Sequence, residues 1–288
     1  MPAISHAFLE MESANTGALA VNLLSTNRPL VIGHRGYCSI APENTLPSFS
    51  LALEAGANLI ELDYHHSKDD VPLVIHDDTL DRTTDARKRW RRTRIKVADT
   101  TATEIRSLDA GGWFGAKFAG ARVPLLTEAL DFILTGGGVP LLEHKSGAAA
   151  TCIRLLSERK LLNKVIVISF DWSHVSEFHE MEPGQLLGAL GPPDHLSDGK
   201  KPSGISKRLT GGWLDELAKT GAKIVVWNRL VSSHAIQLAH QRGLKVWIYT
   251  VDAPKLALQL LDKGVDGIIT NRIAVIQKAL ETWANCPD

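Results

Sequence analysis

The sequence predicts an α/β chain folded as a (β/α)8 TIM barrel with a small insertion after the second strand. Three observations predict it. First, helix-like runs end in Gly and lead at once into a short apolar strand, as in EAGANLIELD (54–63), KTGAKIVVW (219–227), QRGLKVWIYT (241–250) and DKGVDGIIT (262–270). Gly56, Gly221, Gly243 and Gly264 supply the left-handed helix end that only Gly adopts cheaply, and the alternation implies a parallel sheet. Second, eight strands alternate with eight helices in a chain of 288 residues, a length that an α/β barrel fills as one domain. Third, ionisable residues close several strands: His34 and Arg35, Glu61 and Asp63, His76, Glu143 with Lys145. A barrel builds its chemistry at the C-terminal ends of its strands. The alternative, an open doubly wound sheet, calls for a Gly-rich nucleotide turn after the first strand, and GHRGYC is not one.

Taken in order, residues 1–28 read as an N-terminal extension and 29–288 as a single barrel domain. The extension mixes Glu10, Glu12 and Asn15 with a brief apolar stretch, GALAVNLL (17–24), and carries no secretory leader. That stretch is too short and polar to cross a bilayer, which takes about 20 apolar residues. No later segment is long enough either, so the reading is a soluble, cytoplasmic protein with no transmembrane segment. The first strand, 29–34, ends at His34, and a helix over 45–56 closes at Gly56. The second strand spans 58–63, and a further short strand covers 72–76. Residues 77–126 are long for a strand-to-helix connection, usually about 2–6 residues, and read as an inserted subdomain or lid beside the mouth. Helices over 127–135, 148–160 and 172–181 then alternate with strands over 139–143, 165–169 and 185–190. The segment 191–209, rich in Pro, Gly and Ser, reads as a mobile loop. Helices over 212–220, 232–242, 254–263 and 272–284 and strands over 223–227, 245–250 and 266–270 complete the cycle.

Hydrophobic residues make up 44% of the chain, enough for a core without staples. Lys plus Arg and Asp plus Glu both number 32, which argues against a global electrostatic grip on nucleic acid. The basic block RKRWRRTR (87–94) reads first as a solvated loop; the alternative is an anion-binding arm for a lipid surface or a polyanion, with Trp90 inserting or stacking. Cys38, Cys152 and Cys286 lie far apart, with no zinc spacing and no disulfide framework, which fits a reducing compartment. Cys38 reads as a loop or buried thiol, or else as part of the site. Oligomeric state is not legible.

Glu61 and Asp63 sit two apart, so in a strand both carboxylates face the same side, here the barrel interior. Two adjacent buried negative charges need a cation or protons. Glu143, ending VPLLE, offers a third carboxylate. Such an oxygen set suits one divalent cation, Mg²⁺ or Ca²⁺, and admits Mn²⁺. Lys145 shares the face of Glu143, and with Arg35 it is placed to anchor a phosphate; for either cation the plainer role is a salt bridge to the carboxylates. His34 and His76 close PLVIGH and PLVIH, and two imidazoles flanking one phosphodiester share the proton work as base and acid. His65, His66 and His144 read as packing or polar-shell residues, although His65 shares the side of Glu61 and Asp63 if the strand continues.

HRGYCSIAPENTLPSFSLALEAGANLIELD (34–63) followed by VPLVIHDDTLDRTTD (71–85) resembles the glycerophosphodiester phosphodiesterase family, with its His-Arg-Gly, Pro-Glu-Asn-Thr, Glu-x-Asp, His-Asp and Arg-Thr-Thr motifs. SLDAGGWFGAKFAGARVPLLTEAL (107–130), LLEHK (141–145), ISF (168–170), VWIYTVD (246–252) and GVDGIIT (264–270) extend the likeness over about 30–275. The resemblance implies a barrel hydrolase cleaving a small-molecule glycerophosphodiester to glycerol 3-phosphate and an alcohol. It implies a divalent cation on Glu61, Asp63 and Glu143, an acid/base pair in His34 and His76, and phosphate contacts from Arg35 and Lys145. It makes Trp247 an aromatic wall of the pocket, and 77–126 the family's insertion. Of the Pro-Glu-Asn-Thr pair, Glu43 is expected nearer the metal than Asn44. The chain departs from the family pattern at Asp69-Asp70, where Asp-Gly is usual, at His144 and at Asn271, where Asp commonly follows Thr. Two rival readings share these residues: a lysophospholipase D or sphingomyelinase D-like lipid phosphodiesterase, and a non-catalytic phosphoester-binding barrel.

Overall fold

The computed structural model describes residues 20, 22–26, 28–203 and 206–284. Most of the expected N-terminal extension, and Cys286, lie outside the described residues. Eight parallel strands close on themselves: β1 (Leu30–Gly33), β2 (Leu59–His66), β4 (Val139–His144), β5 (Ile166–Ser169), β6 (Leu187–Gly191), β7 (Ile224–Trp227), β8 (Lys245–Ile248) and β9 (Gly267–Thr270). Closure comes from β1, which pairs with β2 on one side and β9 on the other. The fold is the (β/α)8 barrel that the alternation predicts. Between strands run α1 (Leu46–Glu54), α4 (Leu126–Thr135), α5 (Ala149–Glu158), α6 (Trp172–Met181), α7 (Gly211–Leu217), α8 (Ser233–Gln241) and α9 (Pro254–Leu261), and α10 (Ile273–Ala284) follows β9.

Alternation along each strand sorts side chains into two cores. Leu62, Tyr64, Leu142, Val167 and Val225 face outward into the apolar layer under the helices. Ile32, Leu59, Leu141, Ile168, Val226 and Trp247 fill the barrel interior. Gly267 on β9 makes room for Trp247: a Cβ there would lie 2.6 Å from the indole Cδ1. The two layers put apolar filling low in the barrel and leave the strand ends for chemistry.

β2 is twice the length of β1 because it overshoots the barrel. Its last three residues pair with β3 (Pro72–Val74), the one antiparallel element of the sheet. The turn between them holds Asp70 at φ 57°, in the left-handed region that favours Gly. His66 Nδ1, 2.6 Å from Asp70 Oδ1, braces that turn. From β3 the chain enters the inserted segment, which carries the short helices α2 (Ala86–Trp90) and α3 (Ala102–Arg106). Leu73, Ile75, Leu80, Val97, Ile105 and Leu108 give it an apolar cluster of its own. A capping box between Thr101 and Glu104 starts α3, and Asp69 Oδ1 accepts from Ala102 N at 2.8 Å, so the insertion is latched to the β2–β3 turn. The loop after β6 is tied to neighbouring strand ends: Asp194 N donates to Phe170 O at 2.9 Å and Trp227 Nε1 to Lys207 O at 3.1 Å.

Candidate active site

Parallel register sets the first contact. Asp63 on β2 is the direct neighbour of Glu143 on β4, and Glu61 lies two residues back on the same inward face. All three carboxylates are buried, and each offers an oxygen within 4.8 Å of the others'. The sharp turn after β1 brings the next partner. Arg35 (φ 54°) and Gly36 (φ 81°) are both left-handed, and this doubled turn aims Arg35 N at Glu61 Oε2, 2.7 Å away. Only Gly serves at 36, since a Cβ would meet Ser48 Oγ at 2.4 Å.

The charge balance is uneven. Arg35 Nε lies 3.3 Å and Lys145 Nζ 3.1 Å from opposite oxygens of Asp63, and Lys145 also meets Glu143 Oε1. Burial alone would raise Asp63, but Lys145 and Arg35 outweigh it and hold the carboxyl below its ordinary range. Glu61 goes the other way: burial, then the neighbouring charges of Asp63 and Glu143, push it well up. Burial and Asp63 push Glu143 to about 7. Glu61 Oε1 is buried with no hydrogen-bond partner. An orphaned carboxylate oxygen beside two more carboxylates is costly without a cation. The donor set therefore fits a hard divalent ion. The expected ligands Glu61, Asp63 and Glu143 are brought together, and Arg35 and Lys145 stand beside them.

Two histidines stand near this cluster. His34 N, at the end of β1, donates to Thr270 O at 2.9 Å, and His34 Nδ1 lies 2.7 Å from Asn271 Oδ1. Asp252 fixes the amide of Asn271, accepting from its Nδ2 at 2.7 Å and from its backbone N at 2.8 Å. With Nδ2 so engaged, Oδ1 is the acceptor, and the proton of His34 is on Nδ1. Burial, then Arg35, lowers the pKa of His34. His76, on the insertion side, is 31% exposed with its Nδ1 2.8 Å from Asp77 Oδ1. Arg82 locks Asp77 with two bonds, at 2.7 and 2.8 Å, and holds that carboxyl well below its usual value. Both imidazoles lie within electrostatic reach of Asp63. His65 faces inward as β2 continues, and its Nε2 lies 3.0 Å from the backbone oxygen of His76, so it supports that residue from behind.

Three expectations are changed by the geometry. Trp247 is not a wall of the open mouth: it is fully buried in the barrel interior. It faces inward as expected, but one layer too deep. Tyr249, two residues on, takes the upper position, donating its hydroxyl to Gly191 O at 2.7 Å, with its pKa raised by burial and by the charge of Glu143. The order of Glu43 and Asn44 is reversed. Asn44 grips Asp63 from both ends, Nδ2 to Oδ2 at 2.8 Å and Asp63 N to Oδ1 at 3.2 Å. Glu43 instead joins Arg35 to Arg82, each at 2.7–2.8 Å. Cys38 belongs to the site: with His34, Arg35, Glu43, Asp252 and Asn271 it lines a cavity of about 430 Å³. Asn271, Asp252, Arg82 and Tyr249 are the residues that sequence reasoning passed over as site groups. Asn271 had a signal, since it ends the last strand as His34 ends the first.

The chain matches the glycerophosphoryl diester phosphodiesterase family over residues 34–275. It is 32% identical over 250 residues to a glycerophosphodiester phosphodiesterase of Caldanaerobacter subterraneus, covering 85% of this chain and 94% of that one. A crystal structure from Silicibacter pomeroyi, described as a glycerophosphoryl diester phosphodiesterase, superposes with a TM-score of 0.79 at 28% identity, covering 92% of this chain and 98% of the other. A phosphodiesterase of Oleispira antarctica in complex with the product sn-glycerol-3-phosphate superposes with a TM-score of 0.76 at 26% identity, covering 90% and 99%. The barrel, the strand-end cluster and the extent of these matches agree: the chain belongs to the glycerophosphoryl diester phosphodiesterase family.

Proposed function

We propose that this protein hydrolyses a glycerophosphodiester to glycerol 3-phosphate and an alcohol, with Glu61, Asp63 and Glu143 holding one divalent cation and His34 and His76 moving the protons. The observation that carries the reading is the buried triad of carboxylates with an orphaned oxygen on Glu61, within electrostatic reach of two imidazoles. A bound cation supplies positive charge to the phosphate oxygens and acidity to the attacking hydroxyl. Arg35 and Lys145 carry the remaining positive charge, and their donors face the same spot from opposite sides of Asp63.

The Nδ1 partners divide the proton work. His34 has its Nδ1–H committed to a neutral amide and its pKa lowered, so Nε2 holds a free lone pair at neutral pH and acts as base. It takes the proton of the attacking oxygen, which is water or the 2-hydroxyl of the substrate. As that oxygen bonds to phosphorus, the bond to the leaving alkoxide breaks, and His76 delivers a proton to it. Asp77, fully charged under Arg82, faces the ring of His76 while it carries that proton. If the 2-hydroxyl attacks, a cyclic phosphate forms and water opens it in a second displacement.

The test is turnover of glycerophosphocholine, glycerophosphoethanolamine, glycerophosphoglycerol and glycerophosphoinositol by the chelated protein with Mg²⁺, Ca²⁺ or Mn²⁺ restored. Glycerol 3-phosphate should appear only with metal. Full activity after exhaustive chelation removes the metal from the reading. Binding of all four diesters without turnover under any metal leaves the phosphoester-binding barrel in its place. A micellar lysolipid turned over in preference to all four assigns the lipid phosphodiesterase instead.

A further inference from the structure

The inserted segment carries a second chemistry that the hydrolytic site does not use. Seven Lys and Arg residues fall between Arg87 and Lys96, with no acid among them, and outside this stretch acids outnumber Lys plus Arg by seven. All seven are exposed. None of them lies within ion-pair distance of a carboxylate among the described residues. Elsewhere the chain pairs many of its cations, as Arg82, Arg106, Arg159 and Arg242 show. Exposed like charges crowded together repel one another, and an external anion relieves that repulsion.

Beside the cations lies an aromatic ridge. Trp113 is 42% exposed, and its Nε1 donates to Ala110 O, which points the rest of the indole outward. Phe114 packs edge-on to it at 5.6 Å, and Phe118 edge-on to Phe114 at 5.7 Å. The two features are one surface: Lys88, Arg89 and Trp113 line a common cavity of about 630 Å³ with Asp85 and Asp109, whose carboxylates are taken up by the backbone N–H groups of Asp109, Gly111 and Gly112. That surface is also fixed to the catalytic face. Leu80 N donates to Ile95 O at 2.8 Å and Val97 N to Asp78 O at 2.9 Å, so the basic stretch is stapled to the strand of chain that leaves His76.

We infer that this surface docks the protein on an anionic phospholipid bilayer, with the mouth of the barrel beside the contact. Cations reach the headgroup charge while an exposed indole enters the interface, the division of labour that interfacial segments use. A nucleic acid fits less well. Stacking a base needs an open ring face, and Arg92, 5.5 Å over Trp90, and Lys117, 4.7 Å over Phe118, each cover one face of a ring here. Trp113, the most exposed indole beside these cations, is suited to insertion between lipids. This inference stands apart from the hydrolytic reading, since it concerns adsorption and not turnover.

The experiment is sedimentation of the full chain with vesicles of equal parts phosphatidylcholine and phosphatidylglycerol, and with pure phosphatidylcholine vesicles. The protein should partition onto the anionic vesicles alone, and added salt should release it. The combined Arg87→Gln, Lys88→Gln and Arg92→Gln variant should lose about 100-fold in partitioning, and Trp113→Ser about tenfold. Both variants should keep an unchanged circular dichroism spectrum. No sedimentation with anionic vesicles, equal sedimentation with both kinds, or undiminished binding by the triple variant each overturns the inference. Tighter binding to duplex DNA than to the anionic vesicles, insensitive to Trp113→Ser, reassigns the patch to nucleic acid.

Discussion

His34 and His76 differ less in their rings than in what faces Nδ1: an amide for one, a carboxylate for the other. Replacing either by Ala is expected to lower kcat by about 10²–10⁴-fold, the usual scale for a lost acid or base. The circular dichroism spectrum and the affinity for metal, read by titration calorimetry, should be retained. The partner of His34 gives a sharper prediction. A base works unprotonated, and burial has moved its pKa below 6.5, so the acid limb of kcat/KM is expected below pH 6.5. Asn271→Asp places a negative charge 2.7 Å from Nδ1 and favours the imidazolium, so the limb should move to higher pH. A pH profile that does not move would detach Asn271 from the proton work. The histidines and carboxylates were legible because each ends an apolar run. Asn271 shared that signal at the end of the last strand, but Asp252 and Arg82 act through other side chains, and a linear pattern carries no sign of a partner that joins the group only after folding.

At the scale of elements, the turn after β1 and the register of β2 on β4 do most to assemble the site. Gly36→Ala puts a methyl into Ser48, Oγ at 2.4 Å and carbonyl carbon at 2.8 Å, at φ 81°. The cost expected in a urea titration is about 2–4 kcal/mol, from left-handed strain and overpacking together. Because Arg35 N would leave Glu61, turnover should fall in the fraction that remains folded. The eight barrel strands and their helices were readable because Gly ends and strand-length apolar runs repeat. The short helices α2 and α3 were not, since five residues are too few for a 3.6-residue period to show. Trp247 differs in origin: the resemblance alone placed it at the pocket wall, and a motif match carries no depth within the barrel.

For the whole molecule, the buried carboxylate cluster is a liability that a bound cation would remove. In the chelated protein Glu143 titrates near 7 and Glu61 is also raised, so the folded chain binds more protons than the unfolded chain above the ordinary Glu value of 4.5. Stability from these two groups is therefore present at low pH and is lost as pH rises from about 4.5 toward 7. Asp63 runs oppositely, but its window lies lower, beneath 3.8. His34, His65, His144 and His174 have values lowered by burial and push the other way below pH 6.5, so the carboxyl contribution is read as a difference: relative to Glu143→Gln, the chelated protein should lose Tm as pH rises from 5 to 7. Restoring metal at about 100 times its Kd should add about 2.7 kcal/mol. A difference from Glu143→Gln that does not change through this range would contradict the burial of uncompensated charge at Glu143.

The pairing of β1 with β9 has a consequence for synthesis. His34 and Asn271 touch across 237 positions of sequence. A chain emerging from the ribosome presents its histidines and carboxylates early, but the strand that seats His34 comes almost last. The contact that orients His34 therefore cannot form until β9 has been made and the ring closes.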